Sequence, residues 1–151
     1  HGGNMDCTQI TKGVSLYLPV FTDGALLSMG DFHAVMGEGE IEDCGLEIEG
    51  RATMRVTAVK DFYVPWPMID TGDKWITIAS KETVDLAYQA AARQMYTFLT
   101  EKVGMKEDDA AMLMTMTGDL IICQTVNPTM TVRMEFPKRI IRDYNPGFLA
   151  V

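Results

Sequence analysis

Between positions 31 and 40 the chain carries Asp31, His33, Glu38 and Glu40, in the stretch GDFHAVMGEGE that runs from Gly30 to Glu40. A carboxylate and an imidazole two residues apart face the same side of an extended strand, because side chains alternate with period two. A strand from Gly30 to Met36 therefore presents Asp31 and His33 to one cation. Gly37 and Gly39 break that strand and permit a tight turn, which returns Glu38 and Glu40 toward the same face. Four such groups in one turn call for a counter-charge, so metal binding or acid-base work stands beside the plainer reading of His33 as a hydrogen-bonded structural histidine. Glu42 and Asp43 read as solvated loop acids.

His1 and His33 are the only histidines, so a three-histidine zinc site within this chain is impossible and carboxylate must supply much of any metal shell. Zn²⁺ with mixed ligands fits, and Ca²⁺ or Mg²⁺ suits the carboxylate-rich surroundings equally. The opening HGGNMD has glycines that allow close backbone approach, while Asn4 and Asp6 are also ordinary turn residues. Cys7 beside Asp6 has no neighbouring positive charge in sequence to lower its pKa, which argues against a nucleophile.

The elements that must position these groups follow from hydrophobic periodicity. Val14 to Phe21 is β-rich with one proline, and Ala25 to Met36, largely apolar, reads as a buried central strand with polar residues at chosen points. An ionised Asp31 in such a run requires a partner. Leu46 to Val59 alternates Ala52, Met54, Val56 and Ala58 with Arg51, Thr53, Arg55 and Thr57, the pattern of a half-buried strand. Asp61 to Gly72 is irregular, its aromatics suited to a core edge or a pocket mouth, and Trp75 to Ala79 returns to strand. Ser80 is placed to cap a long helix ended by Gly104, and a second helix spans Glu107 to Thr117 with acids at its positive end. Leu120 to Val126 and Met130 to Phe136 are further strands. Strands, then two consecutive helices, then strands predict an α+β fold, with a strand-rich, sandwich-like sheet part and a two-helix hairpin packed on one face.

A length of 151 residues is that of one domain, and 47% apolar with 23% charged residues is globular composition. The net charge of −8 repels phosphate backbones and anionic membranes, so no nucleic acid and no membrane partner is expected. Three cysteines in no CxxC pattern imply neither a disulfide framework nor a zinc knuckle, and with no signal-like start the expected location is a reducing cytoplasm. GxSxG, a P-loop and HExxH are all absent.

HGGNMD at 1 to 6, LYLPVFTDGALLSMGDFHAVMGEGE at 16 to 40 and GDLIICQTVNPTMTVR at 118 to 133 resemble the acetamidase/formamidase family of amide hydrolases. The resemblance covers the C-terminal half of such an enzyme, so an N-terminal half is an expected partner. It implies hydrolysis of a short amide, formamide or acetamide, by a homo-oligomeric, divalent-metal enzyme. On that reading Asp31 and His33, helped by Asp6, hold a Zn²⁺-like ion, and Glu40, or second Glu38, carries the proton. His1 or Asn4, with the amides of Gly2 and Gly3, holds the developing oxyanion. The competing readings are a non-catalytic half-domain in which Ca²⁺ locks the turn, and a metal hydrolase for another C–N or ester bond.

Overall fold

The computed structural model describes residues 1–60 and 62–148, so Asp61 and residues 149–151 of the expected domain lie outside the described residues. A five-stranded antiparallel sheet has the order β1-β4-β5-β7-β6, built from β1 (Ser15–Tyr17), β4 (Met68–Asp70), β5 (Lys74–Lys81), β6 (Asp119–Gln124) and β7 (Met130–Pro137). A separate two-stranded pair joins β2 (His33–Val35) to β3 (Leu46–Glu47). With α1 (Val84–Thr97), α2 (Glu107–Thr117) and α3 (Lys138–Tyr144), the architecture is α+β.

The two long central strands decide the layering. In the β5–β7 register Trp75, Thr77 and Ala79 stand opposite Phe136, Met134 and Val132, while Ile76 and Ile78 stand opposite Glu135 and Arg133. Partners across an antiparallel pair share a face, so the first set forms one side of the sheet and the second set the other. The first side meets α1 through Ala91 and Met95, and the helical turn after it through Phe98 and Leu99, in one closed core. Thr77 ties the layers by donating its hydroxyl to the Ala91 carbonyl at 2.8 Å. The second side packs Ile69, Ile76, Ile78 and Cys123 against Met5, Cys7, Val14 and Leu16. The N-terminal segment that carries Asp6 is thereby pressed onto the sheet.

Several elements differ from the sequence expectation. The helix begins three residues later: Ser80 belongs to β5, sharing a 2.9 Å hydrogen bond with Thr131, and Thr83 caps α1 by accepting from the Leu86 amide at 3.3 Å. A π-helical turn, Phe98–Lys102, extends α1 before Gly104, at φ +81°, reverses the chain. The tail read only as basic and proline-punctuated forms α3, whose Ile141 is buried in the core. Ala25 to Met36 is not a buried central strand: only His33–Val35 is strand, and residues 21–31 are exposed. Leu46 to Val59 contributes only Leu46–Glu47 to a strand. Both errors have one cause, since an apolar run predicts burial without naming the surface that buries it.

Candidate functional site

The Gly37–Glu40 loop is anchored to the main sheet by a single glycine. Gly39 forms a parallel bridge to Gln124 at the end of β6: its amide donates to the Cys123 carbonyl and its carbonyl accepts from the Thr125 amide, each at 3.1 Å. The flanking glutamates leave in different directions. Glu38 reaches Arg133 on β7 and takes a bidentate pair, Nη1 to Oε2 at 2.6 Å and Nη2 to Oε1 at 2.7 Å. The Thr8 hydroxyl also donates to Glu38, at 2.7 Å. Glu40 turns back toward His33 and is 6% exposed.

Arg133 is itself 2% exposed and donates from Nε to Glu135 Oε1 at 2.7 Å, while Lys74 pairs with the other oxygen of Glu135. Arg133 and Glu135 stay inside the protein because each is paired and hydrogen-bonded, while Glu38 and Lys74 carry the two ends of this chain of alternating charges to the surface. The guanidinium holds the Glu38 carboxyl below its ordinary range, which suits a structural anion better than a proton acceptor. Arg133 also stands 3.7 Å from the Cys123 sulfur; the Cys7 thiol is held below its ordinary range first by its hydrogen bond with Cys123, with the Arg133 charge a smaller contribution in the same direction. The positive charge missing from the sequence around Cys7 thus arrives from β7.

His33 sits between two sets of carboxylates. Its Nε2 lies 3.1 Å from Asp31 Oδ1, and its Nδ1 faces Met36 Sδ at 3.2 Å and Glu40 Oε1 at 4.0 Å. The Asp31 carboxylate only accepts, so Nε2 is the nitrogen that donates to it, and Nδ1 is the nitrogen that faces Glu40. Asp31 meets His33 as expected, but not by strand alternation: Asp31 precedes β2 and has φ +68°. Asp6 and Glu40 also lie in the left-handed region, both at φ +43°. Such backbone costs about 1–3 kcal/mol per residue and persists where the surrounding structure enforces it.

One ligand atom from each of Asp6, His33 and Glu40 lies within 4.8 Å of the others, and the same holds for Asp31, His33 and Glu47. The first group is the more enclosed. Burial, then the neighbouring Asp6 charge, pushes the Glu40 carboxyl up, and a hydrogen bond from the Gly45 amide offsets part of this. Asp6 is likewise raised by burial, against a hydrogen bond from Asn127 whose Nδ2 donates to Oδ2 at 3.1 Å. Glu40 Oε2 is buried without a partner. Two crowded carboxylates, an orphan oxygen and an imidazole nitrogen make a donor set that fits a divalent cation.

Of the residues expected from sequence, Asp6, Asp31, His33 and Glu40 converge, and Glu38 is diverted to Arg133. His1 and Asn4 are exposed, and among the described residues no hydrogen bond joins them to the cluster. Arg133, Asn127 and Gln124 were not foreseen as parts of the site. Gln124 is fully buried and accepts from the Val126 and Asn127 amides, each at 3.0 Å, while donating to Thr129 and Thr131. It fixes the turn that delivers Asn127 to Asp6. The one available signal was polar residues in strands whose neighbours are apolar. A cavity of about 280 Å³ beside the cluster is lined by Val35, Met36, Glu38, Glu40, Cys44 and Leu46. A larger one of about 390 Å³, lined by Tyr63, Trp66, Met68 and Phe98 together with Lys81, Arg93, Glu101 and Lys102, lies on the helix side of the sheet.

An α+β domain that gathers histidine and carboxylates at the end of its main sheet, on left-handed backbone, is the class of protein defined so far. The chain belongs to the Acetamidase/Formamidase family, which it matches over residues 1–142. It is 43% identical to an acetamidase from Bacillus Halodurans, with a TM-score of 0.91 over 95% of this chain and 48% of that one. A predicted acetamidase/formamidase from Thermoanaerobacter tengcongensis gives 37% identity and a TM-score of 0.93 over 98% and 49%. The formamidase of Methylophilus methylotrophus is 45% identical over 62 residues, 40% of this chain and 15% of its own length. The chain thus spans about half the length of the solved acetamidases it matches.

Proposed function

We propose that this chain carries a divalent-cation site formed by Asp6, His33 and Glu40, and that the site serves hydrolysis of a short aliphatic amide, formamide or acetamide, to a carboxylate and ammonia. The observation that carries the reading is Glu40: a carboxylate 6% exposed, with one oxygen unpartnered and with Asp6 as its neighbour, needs positive charge nearby. The substrate class follows the names of the relatives, a formamidase and acetamidases.

Asp6 and His33 Nδ1 would hold the cation with the Glu40 carboxylate beside it, Zn²⁺ in preference to Ca²⁺ because a nitrogen donor takes part. Asp31, at 3.1 Å from Nε2, orients the ring and fixes its tautomer, in place of the direct ligand role expected from sequence. A bound Zn²⁺ supplies Lewis acidity to the amide carbonyl and lowers the pKa of water. Glu40 takes the proton of the attacking water and returns it to the amide nitrogen as the C–N bond breaks, so that ammonia leaves. Glu38, paired to Arg133, holds the loop and leaves the proton transfer to Glu40. Three free thiols suit a reducing cytoplasm. The turnover unit includes polypeptide equivalent to the other half of the solved relatives.

The test is metal content by mass spectrometry together with ammonia release from formamide and acetamide, measured with that other half supplied. His33→Ala is expected to lose the bound ion and reduce turnover by at least about 100-fold. Full turnover in His33→Ala would end the proposal.

A further inference from the structure

Residues 51–59, RATMRVTAV, have the strictest strand pattern in the first half of the chain and yet form no strand. Every residue from 51 to 59 is exposed, with Met54 at 51% and Val56 at 71%. Among the described residues, their backbone makes no hydrogen bond to other backbone and belongs to neither sheet. Just upstream the last tie to the domain is the Ile48 amide, which donates to the Phe32 carbonyl at 2.9 Å. An alternating apolar face with a free ladder of amides and carbonyls is the surface that strand pairing consumes.

We propose that residues 51–59 are a β-strand completed by a sheet from further polypeptide equivalent to the half of the solved acetamidases that this chain does not match. Both solved relatives superpose on nearly all of this chain with only 48% and 49% of their own lengths, so each holds about as much chain again beside this fold. A second copy of the present chain is a poorer occupant. Among the described residues its free sheet edges are β1 and β2, three residues long each, β3, two residues long, and β6, six residues long and interrupted by a bulge between Ile122 and Gln124, all too short for a nine-residue strand. Pairing would turn Ala52, Met54, Val56 and Ala58 into the partner's core and leave Arg51, Thr53, Arg55 and Thr57 toward water. The occupant's identity rests on the family reading, whereas the strand itself does not.

The test co-expresses this chain with the unmatched half of the Bacillus Halodurans acetamidase and follows amide hydrogen exchange at 51–59 by NMR. In the chain alone these amides are expected to exchange within about tenfold of free-peptide rates, and in the complex alternate amides slow by at least about 100-fold. Val56→Asp is expected to abolish the complex, and Arg55→Asp to retain it. Because the segment is exposed, both variants keep the melting temperature of the isolated chain, which separates lost docking from lost folding. A complex in which 51–59 still exchanges fast, or no complex at about 100 µM, overturns the proposal. So does protection that rises with concentration in the isolated chain, which assigns the strand to a second copy. Amide turnover is not the readout, so an inactive complex with protected amides defeats the hydrolase reading and leaves this one standing.

Discussion

Replacing Arg133 with methionine removes the guanidinium while keeping a side chain of similar length in the sheet. Three short charged hydrogen bonds disappear: one to Glu135 at 2.7 Å and two to Glu38 at 2.6 and 2.7 Å. Glu135, 3% exposed, retains Lys74, so its loss is one buried charged hydrogen bond, about 1.5–3 kcal/mol. The Glu38 side chain is 44% exposed and can turn to water, so solvent screening limits its share to about 1 kcal/mol or less. Allowing for apolar packing by the methionine, Arg133→Met should cost about 2–3 kcal/mol, or about 5–10 °C in melting temperature for a domain of this size. The pH dependence carries a definite sign. Arg133 depresses the Glu38 pKa, so this increment is present above the unfolded carboxyl value of about 4.3 and is lost as pH falls through the lower folded value. Thermal melts of wild type and Arg133→Met at pH 7 and at about pH 3 should therefore show the gap narrowing in acid. A variant that melts within about 2 °C of wild type at pH 7, or a gap unchanged in acid, refutes the argument that this ion pair holds the loop.

Glu40→Gln should raise the melting temperature in chelator and weaken Zn²⁺ binding at least about tenfold by calorimetry. Burial and Asp6 raise the Glu40 pKa, so ionising it opposes folding, and stability falls as pH rises through that raised value. Equal melting of the two proteins in chelator at pH 7.5 would contradict this. Gly45→Ala places a Cβ 2.6 Å from His33 Nδ1 and 3.0 Å from both Met36 Cβ and the Val35 carbonyl oxygen, so it should displace the imidazole and lower both Zn²⁺ affinity and melting temperature. Gln124→Ala strands the Val126 and Asn127 amides that its side chain accepts from. It should cost about 2–3 kcal/mol in urea denaturation and weaken Zn²⁺ binding by releasing Asn127 from Asp6.

What the sequence made legible divides along physical lines. β5, β7 and α1 bury their apolar faces against one another, so periodicity alone located them to within a few residues. The residues 21–31 and 51–59 are apolar or alternating but exposed, and the same rule failed there because no surface among the described residues covers them. The site shows the same division. Asp31, His33 and Glu40 were found because their types cluster in ten positions, yet their meeting depends on left-handed backbone at Asp6, Asp31 and Glu40, which residue type does not announce. Arg133 was invisible for a different reason. A charged residue in a strand reads as facing water, and only the β5–β7 register, which sets it across from Ile78, shows that it faces inward. Its position explains why the two glutamates of one short loop take opposite roles: Gly39 pins the loop between them, Arg133 binds the first, and the second can only face His33 and Asp6. Moving the arginine charge elsewhere would free Glu38 to compete for the proposed cation, so the division of labour in GEGE is written on β7 and not in the loop.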